Sequence, residues 1–195
     1  MNAKQQRKAA PGEGTWSLSA VMAELKGLGT AQNRKVYRRH GAGEKQFGVS
    51  FANLDALRRR IKKDHELALE LWQSGNTDAR ILATMIADPQ SLSPDQAEAW
   101  LAECSYYVLV DALVKNVIFK TGYADDKLAA WTGSEGEWRG RAGWMLLSLT
   151  ALQVASAVGT VEVDHGETSC RTPAAAAYIR KGWERKQQRG KAGSR

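Results

Sequence analysis

SFANLDALRRRIKKDHELALELWQSG, residues 50–75, holds two short helical patterns in succession. Ser50 is placed to cap the first, in which Phe51, Leu54, Leu57 and Ile61 recur at helical spacing. DHELALELW starts a second, with Leu67, Leu71 and Trp72 inward and Gly75 as its stop. Helices this short, broken so briefly, bury their apolar stripes by pairing with neighbours. The stretch therefore predicts helix pairs rather than one long rod.

The same grammar extends both ways. Upstream, Ser17 or Ser19 caps VMAELKGLG, which Gly29 ends, and AQNRKVYRRHG is a short basic helix stopped by Gly41. GAGEKQFG is a loop. Downstream, Asn76 caps NTDARILATMIADP, which ends at Pro89. SPDQAEAWLAEC has Ser93 as cap, Pro94 at the first helical position and Gln96 at the third, a capping box. SYYVLVDALVKNVIF, residues 105–119, reads as one buried helix, and GSEGEWRGRAGWMLLSLTALQVASAVG as another. Most of these patterns are apolar over more than one stripe, so the helices pack on two sides. The prediction is an all-α solenoid of antiparallel helix pairs, with a compact bundle as the alternative.

Of 195 residues, 43% are apolar, which makes the chain globular. No apolar run reaches the roughly 18 residues of a membrane span. The N-terminus MNAKQQRKAAPGEG has no apolar segment of the secretory type. Cys104 and Cys170 suit a reduced, cytoplasmic setting. The net charge of +7 is concentrated at the ends, with +3 in residues 1–10 and +6 in residues 180–195, leaving a middle of −2. Basic tails suit a polyanion through counterion release, or simply keep the chain soluble. The expected organisation is a disordered basic tail over 1–14, a helical domain over 15–183 and a second tail over 184–195. Within VEVDHGETSCRTPAAAAYIRKGWERK, Thr172 and Pro173 open a last helix. The spacing of Asp164, His165 and Cys170 fits no standard metal site, so no metal is expected.

Asp111 sits in the middle of the apolar 105–119 pattern. An ionised carboxylate taken out of water costs several kcal/mol unless paired. Such an aspartate accepts hydrogen bonds from a neighbouring helix start, pairs with an arginine, or serves chemistry. Arg58, Arg59, Arg60, Lys62 and Lys63 form a basic run, and Arg34, Lys35, Arg38 and Arg39 with Tyr37 form another. By charge alone each run is either a solvated face or a phosphate-binding one. The tryptophans (Trp16, Trp72, Trp100, Trp131, Trp138, Trp144, Trp183) are read mostly as core, with Trp144 favoured because MLLSL follows it.

FGVSFANLDALRRRIKKDHELALELW, NTDARILATMIADP, the Tyr–Asp helix and SEGEWRGRAGW occur in the order and nearly the spacing of one family. Over roughly residues 47–147 the chain resembles the HEAT-like helical repeat proteins of DNA alkylation repair, the AlkD-like family. VEVDHGETSCRTPAAAAYI resembles the C-terminal segment of a bacterial branch. The resemblance implies an α-α superhelix with a basic concave face for duplex DNA. It also implies a DNA glycosylase that hydrolyses the N-glycosidic bond of cationic N3- or N7-alkylated purines, as a monomer and without cofactor. The alternative is a HEAT-like module without catalysis that binds nucleic acid or serves as a scaffold.

The family pattern Trp-x-x-x-Asp falls here on Tyr107 and Asp111, and Trp-x-x-Arg on Trp138 and Arg141. The resemblance makes Asp111 the catalytic carboxylate. Tyr107, in place of the tryptophan, packs on the sugar, and Arg141 grips a phosphate. It makes Arg34, Arg38, Arg58, Arg59, Lys62, Lys63 and Trp138 candidates for DNA contact. Relative to fuller members the chain lacks about one repeat.

Overall fold

A computed structural model describes residues 16–158. The two basic tails, Trp183, the VEVDHGETSC box and the helix expected after Thr172 lie outside the described residues. Those residues form nine α-helices and one 3-10 turn, with no strand among them. The helices are α1 (Leu18–Leu28), α2 (Ala31–Arg39), α3 (Phe51–Ile61), α4 (His65–Gln73), α5 (Thr77–Ile86), α6 (Pro94–Ala102), α7 (Tyr107–Asn116), α8 (Ala124–Thr132) and α9 (Glu137–Val158). The chain divides into two compact units after Thr121.

Caps set the starts. Ser17, Thr30, Ser50, Asp64, Asn76 and Ser93 each accept a backbone N–H of the first turn they precede. The Ser93–Gln96 capping box closes in both directions, at 3.2 and 3.0 Å. Each cap satisfies a donor that the helix cannot, which fixes where the turn begins.

In the first unit α5 is central. Ala79, Ile81, Leu82, Ala83 and Ile86 are buried on it, and α1, α3, α4 and α7 pack around it. Trp72 of α4 stacks flat on Trp100 of α6, with centroids 4.1 Å apart. Arg80 of α5 covers the Trp72 ring at 5.0 Å, donates to the Trp72 carbonyl at 3.0 Å and pairs with Glu103. Three helices are thus joined by one arginine, whose planar guanidinium both stacks and donates. The second unit contains α8 and α9. Trp131, Ala142 and Leu146 are fully buried there. A methyl on Gly143 would come within 2.8 Å of backbone atoms of both Trp131 and Thr132, so only glycine allows α9 to approach α8 this closely.

Four expectations need correction. Residues 105–119 are not one helix. Ser105 and Tyr106 lie outside α7, which ends at Asn116 before the 3-10 turn Ile118–Lys120. Tyr106 is extended (φ −143°, ψ 125°) and buried, and the hydrogen bonds after Val117 tighten to i→i+3. Nor is α7 buried all round: on one arc Tyr107, Val108 and Asp111 are half-buried and Lys115 is exposed. Phe51 is 47% exposed, because it falls about 60° or more from the arc of Leu54, Leu57 and Ile61. Trp144 is 54% exposed, since Ala142 and Leu146, on the opposite side of α9, fill the interior of the unit. α8 had no counterpart in the sequence reading.

Candidate functional site

The sequence poses a buried-carboxylate problem at Asp111, and the structure poses it at Asp78. Asp78 is 1% exposed, in the first turn of α5. Its carboxylate accepts three successive backbone N–H groups, Phe47 at 2.6 Å, Gly48 at 3.0 Å and Val49 at 3.1 Å. Three donors and the positive end of a helix replace the water that burial removed. The clasp fastens the 41–50 loop to α5. Gly48 has φ +78°, and a methyl there would press within 2.6–2.7 Å of Arg34 N and Thr30 O. Thr30 N donates to Gly48 O at 3.1 Å, and the Tyr37 hydroxyl donates to Val49 O at 3.1 Å. Asp78 thus positions α2 through this loop.

Tyr37, Tyr106 and Asp78 come within electrostatic reach of one another. Burial, then the neighbouring Tyr107, Tyr37 and Asp78, push the Tyr106 phenol up to about 12. Burial and Asp78 also raise the Tyr37 phenol. Both remain neutral in any physiological setting. Tyr106 meets Tyr107 edge-on, centroids 5.1 Å apart at 71°. This contact braces the ring that opens α7.

Asp111 follows Tyr107 by one turn on the same arc of α7, half-buried rather than sealed. Two partly exposed groups four residues apart line one surface. The Asn116 amide donates to Thr84 Oγ1 at 3.0 Å and ties α7 to α5. The Cys104 thiol, which precedes α7, is buried and pushed up to about 12, chiefly by desolvation, so it is not a nucleophile. Trp138 and Arg141 stand three residues apart on α9 of the second unit, the first half-buried and the second exposed.

Of the two basic runs, that of α3 is largely engaged. Arg58 pairs with Asp55 at 2.8 Å and Arg59 shares the same carboxylate. Arg60 pairs with Glu24 and lies over the Trp16 ring at 4.9 Å. Lys63 pairs with Asp88 at 3.1 Å. Lys62 ends the helix at φ +67° and is exposed. On α2, Arg38 pairs with Glu44 at 2.5 Å, while Arg34, Lys35 and Arg39 are exposed. Sequence reasoning missed Asp78 altogether. Its partners are backbone groups some 30 residues away, which carry no signature of their own.

No described helix is long and apolar enough to cross a membrane. A family model described as DNA alkylation repair enzyme matches residues 21–160. An uncharacterized Listeria innocua protein is 25% identical over 81% of this chain and 93% of its own length. A Listeria monocytogenes counterpart is 24% identical over the same shares. One solved structure aligns with a TM-score of 0.62 and 24% identity, covering 87% of this chain and 95% of its own. It is described as belonging to a new family of proteins related to the HEAT-like repeat DNA glycosylases with affinity for branched DNA structures. The likeness shows the fold, an all-α HEAT-like helical repeat.

Proposed function

For this chain, which belongs to the DNA alkylation repair enzyme family, we propose that it binds duplex DNA and hydrolyses the N-glycosidic bond of purines alkylated at N3 or N7. The observation that carries the reading is Asp111. It is a partly exposed carboxylate on a braced helix, one turn from an aromatic ring. Alkylation makes the purine a cationic leaving group, so no metal or organic cofactor is required to activate it. As the bond breaks, positive charge grows on the deoxyribose. A fixed carboxylate beside the sugar stabilises that charge more in the transition state than in the ground state. Asp111 also orients the attacking water, as a carboxylate does in glycoside hydrolysis. Tyr107 packs on the sugar, and Arg141 holds a phosphate from α9. The protein works as a monomer in the cytoplasm.

Free base released from DNA containing N7-methylguanine measures this directly. Wild type releases base above the spontaneous rate, and Asp111→Asn loses about a hundredfold or more. A wild type no faster than the spontaneous reaction sinks the glycosylase reading.

Tyr107 standing where the family has tryptophan favours a second reading, a binding protein without catalysis. The structural neighbour's family, with its affinity for branched DNA, makes a four-way junction the natural ligand to try. Tighter binding to the junction than to linear duplex, with no base release, selects this reading over the first.

A further inference from the structure

α2 is an anomaly in this fold. It is a nine-residue helix with no buried residue. Alone, a helix of that length is marginal in water. It gains little of the roughly 1.5–3 kcal/mol that each fully buried large apolar side chain supplies elsewhere. Its inner side, Asn33, Val36 and Tyr37, is only half-buried. What places it is a set of specific contacts. Thr30 caps it, Gly48 lets the loop backbone approach Arg34 N, and the Tyr37 hydroxyl reaches Val49 O. That loop is in turn held by the buried Asp78.

The outer side is uniform. At 100° per residue Arg34, Lys35, Arg38 and Arg39 fall within an arc of about 140°, and all four are exposed. Arg34 with Arg38, and Lys35 with Arg39, are like-charged pairs at i,i+4, which disfavour a helix. Only Arg38 of the four has a carboxylate partner among the described residues, Glu44. The contrast with α3 decides between the two basic runs. There, Arg58, Arg59, Arg60 and Lys63 already have Asp55, Glu24 and Asp88, so a phosphate would have to displace a carboxylate.

We infer that α2, through Arg34, Lys35, Arg38 and Arg39, grips the phosphate backbone of duplex DNA on the flank of α7 that begins at Tyr107. The side of α2 opposite the cations supplies the link, since Tyr37 lies within electrostatic reach of Tyr106 and Tyr106 abuts Tyr107. A strand held on α2 is thereby registered against the residues proposed to meet the sugar. The contact carries no sequence code, which suits a protein that recognises a lesion rather than a site. The inference rests on the DNA-binding reading given above.

The test is the salt dependence of binding to a fluorescent linear duplex. Neutralising Arg34, Lys35 and Arg39 together to glutamine lowers affinity at least about tenfold near 100 mM salt. It also reduces the slope of log K against log salt by about 2 to 3, at about 0.9 per phosphate contact. Neutralising Arg58 and Arg59 changes the slope by less than one. The charge-conserving version, Arg34→Lys with Arg39→Lys, keeps the slope, which separates charge from misfolding. A triple-glutamine protein with native circular dichroism and an unchanged slope overturns the inference, and so does a larger loss from the α3 pair. If Asp111→Asn still abolishes base release in that case, the proposed function stands without α2. If the slope falls as expected but wild type releases no base, α2 stands and the glycosylase reading falls. A wild type that fails to bind duplex even at low salt removes both.

Discussion

At the scale of single residues, the chain separates two uses of a carboxylate. Asp78 is sealed and spent on the fold: its oxygens are committed to Phe47, Gly48 and Val49. Asp111 is half-buried, part-way in solvent on the Tyr107 side of α7. Replacing Asp78 with alanine strands three backbone donors, and the expected loss is roughly 3 kcal/mol of unfolding free energy, readable by denaturant titration. Asp111→Asn, by contrast, should lower the unfolding free energy by less than the Asp78 replacement does in the same titration. A large destabilisation there would mean that Asp111 serves the fold instead. The sequence made Asp111 conspicuous because an acid interrupts an apolar run. It hid Asp78, because an acid in the first turn of a helix is unremarkable and its loop partners are anonymous N–H groups. Trp144 and Phe51 are exposed for a related reason: apolar identity does not by itself bury a side chain, and helical angle decides which side of α3 or α9 faces inward.

At the scale of elements, caps were the legible signal. Ser17, Ser50, Asn76 and the Ser93–Gln96 box all sit where the residue types put them. Ends were harder. α7 stops at Asn116 without proline or glycine, and the tighter turn Ile118–Lys120 takes over. α8 escaped notice because its first turn is acidic and only Leu128, Trp131 and Thr132 are buried. The pairing of α8 and α9 depends on a residue with no side chain at all. Gly143→Ala forces a methyl into the Trp131–Thr132 backbone and should cost roughly 2 kcal/mol, measured as a lowered thermal midpoint. An alanine variant as stable as wild type would mean that the two helices can separate freely.

For the whole molecule, exposed ion pairs join segments distant in sequence, such as Arg60 to Glu24 and Lys63 to Asp88. Hydrogen bonding from Arg58 and Arg59 holds the Asp55 carboxyl below its usual range, and Lys63 with Ser91 does the same for Asp88. A lowered carboxyl favours the folded chain above its unfolded value and loses that advantage as acid protonates it. Stability should therefore decline as pH falls below about 4. Tyr106 works from the other side. Its phenol is raised, so the fold is favoured until the unfolded tyrosine ionises near pH 10, and that preference is lost as pH climbs toward 12. Thermal midpoints across pH 3–11 should trace a plateau bounded by these two limbs. A curve still rising below pH 4 would contradict the assignment of Asp55 and Asp88. The all-α class and the helix-pair plan were readable from the sequence, since they follow from spacing and caps. How the cations divide between engaged and available was not, because it depends on which carboxylates the fold brings alongside.

A helix that leans on its neighbours by polar clasps, with nothing greasy committed on its outer side, keeps four cationic positions at the surface, of which only Arg38 has a carboxylate partner among the described residues. Their charge can be raised, erased or inverted with little disturbance to the interior. Grip on a polyanion and resistance to unfolding are then separately adjustable in this protein, a decoupling that a cation wedged into the core would not permit.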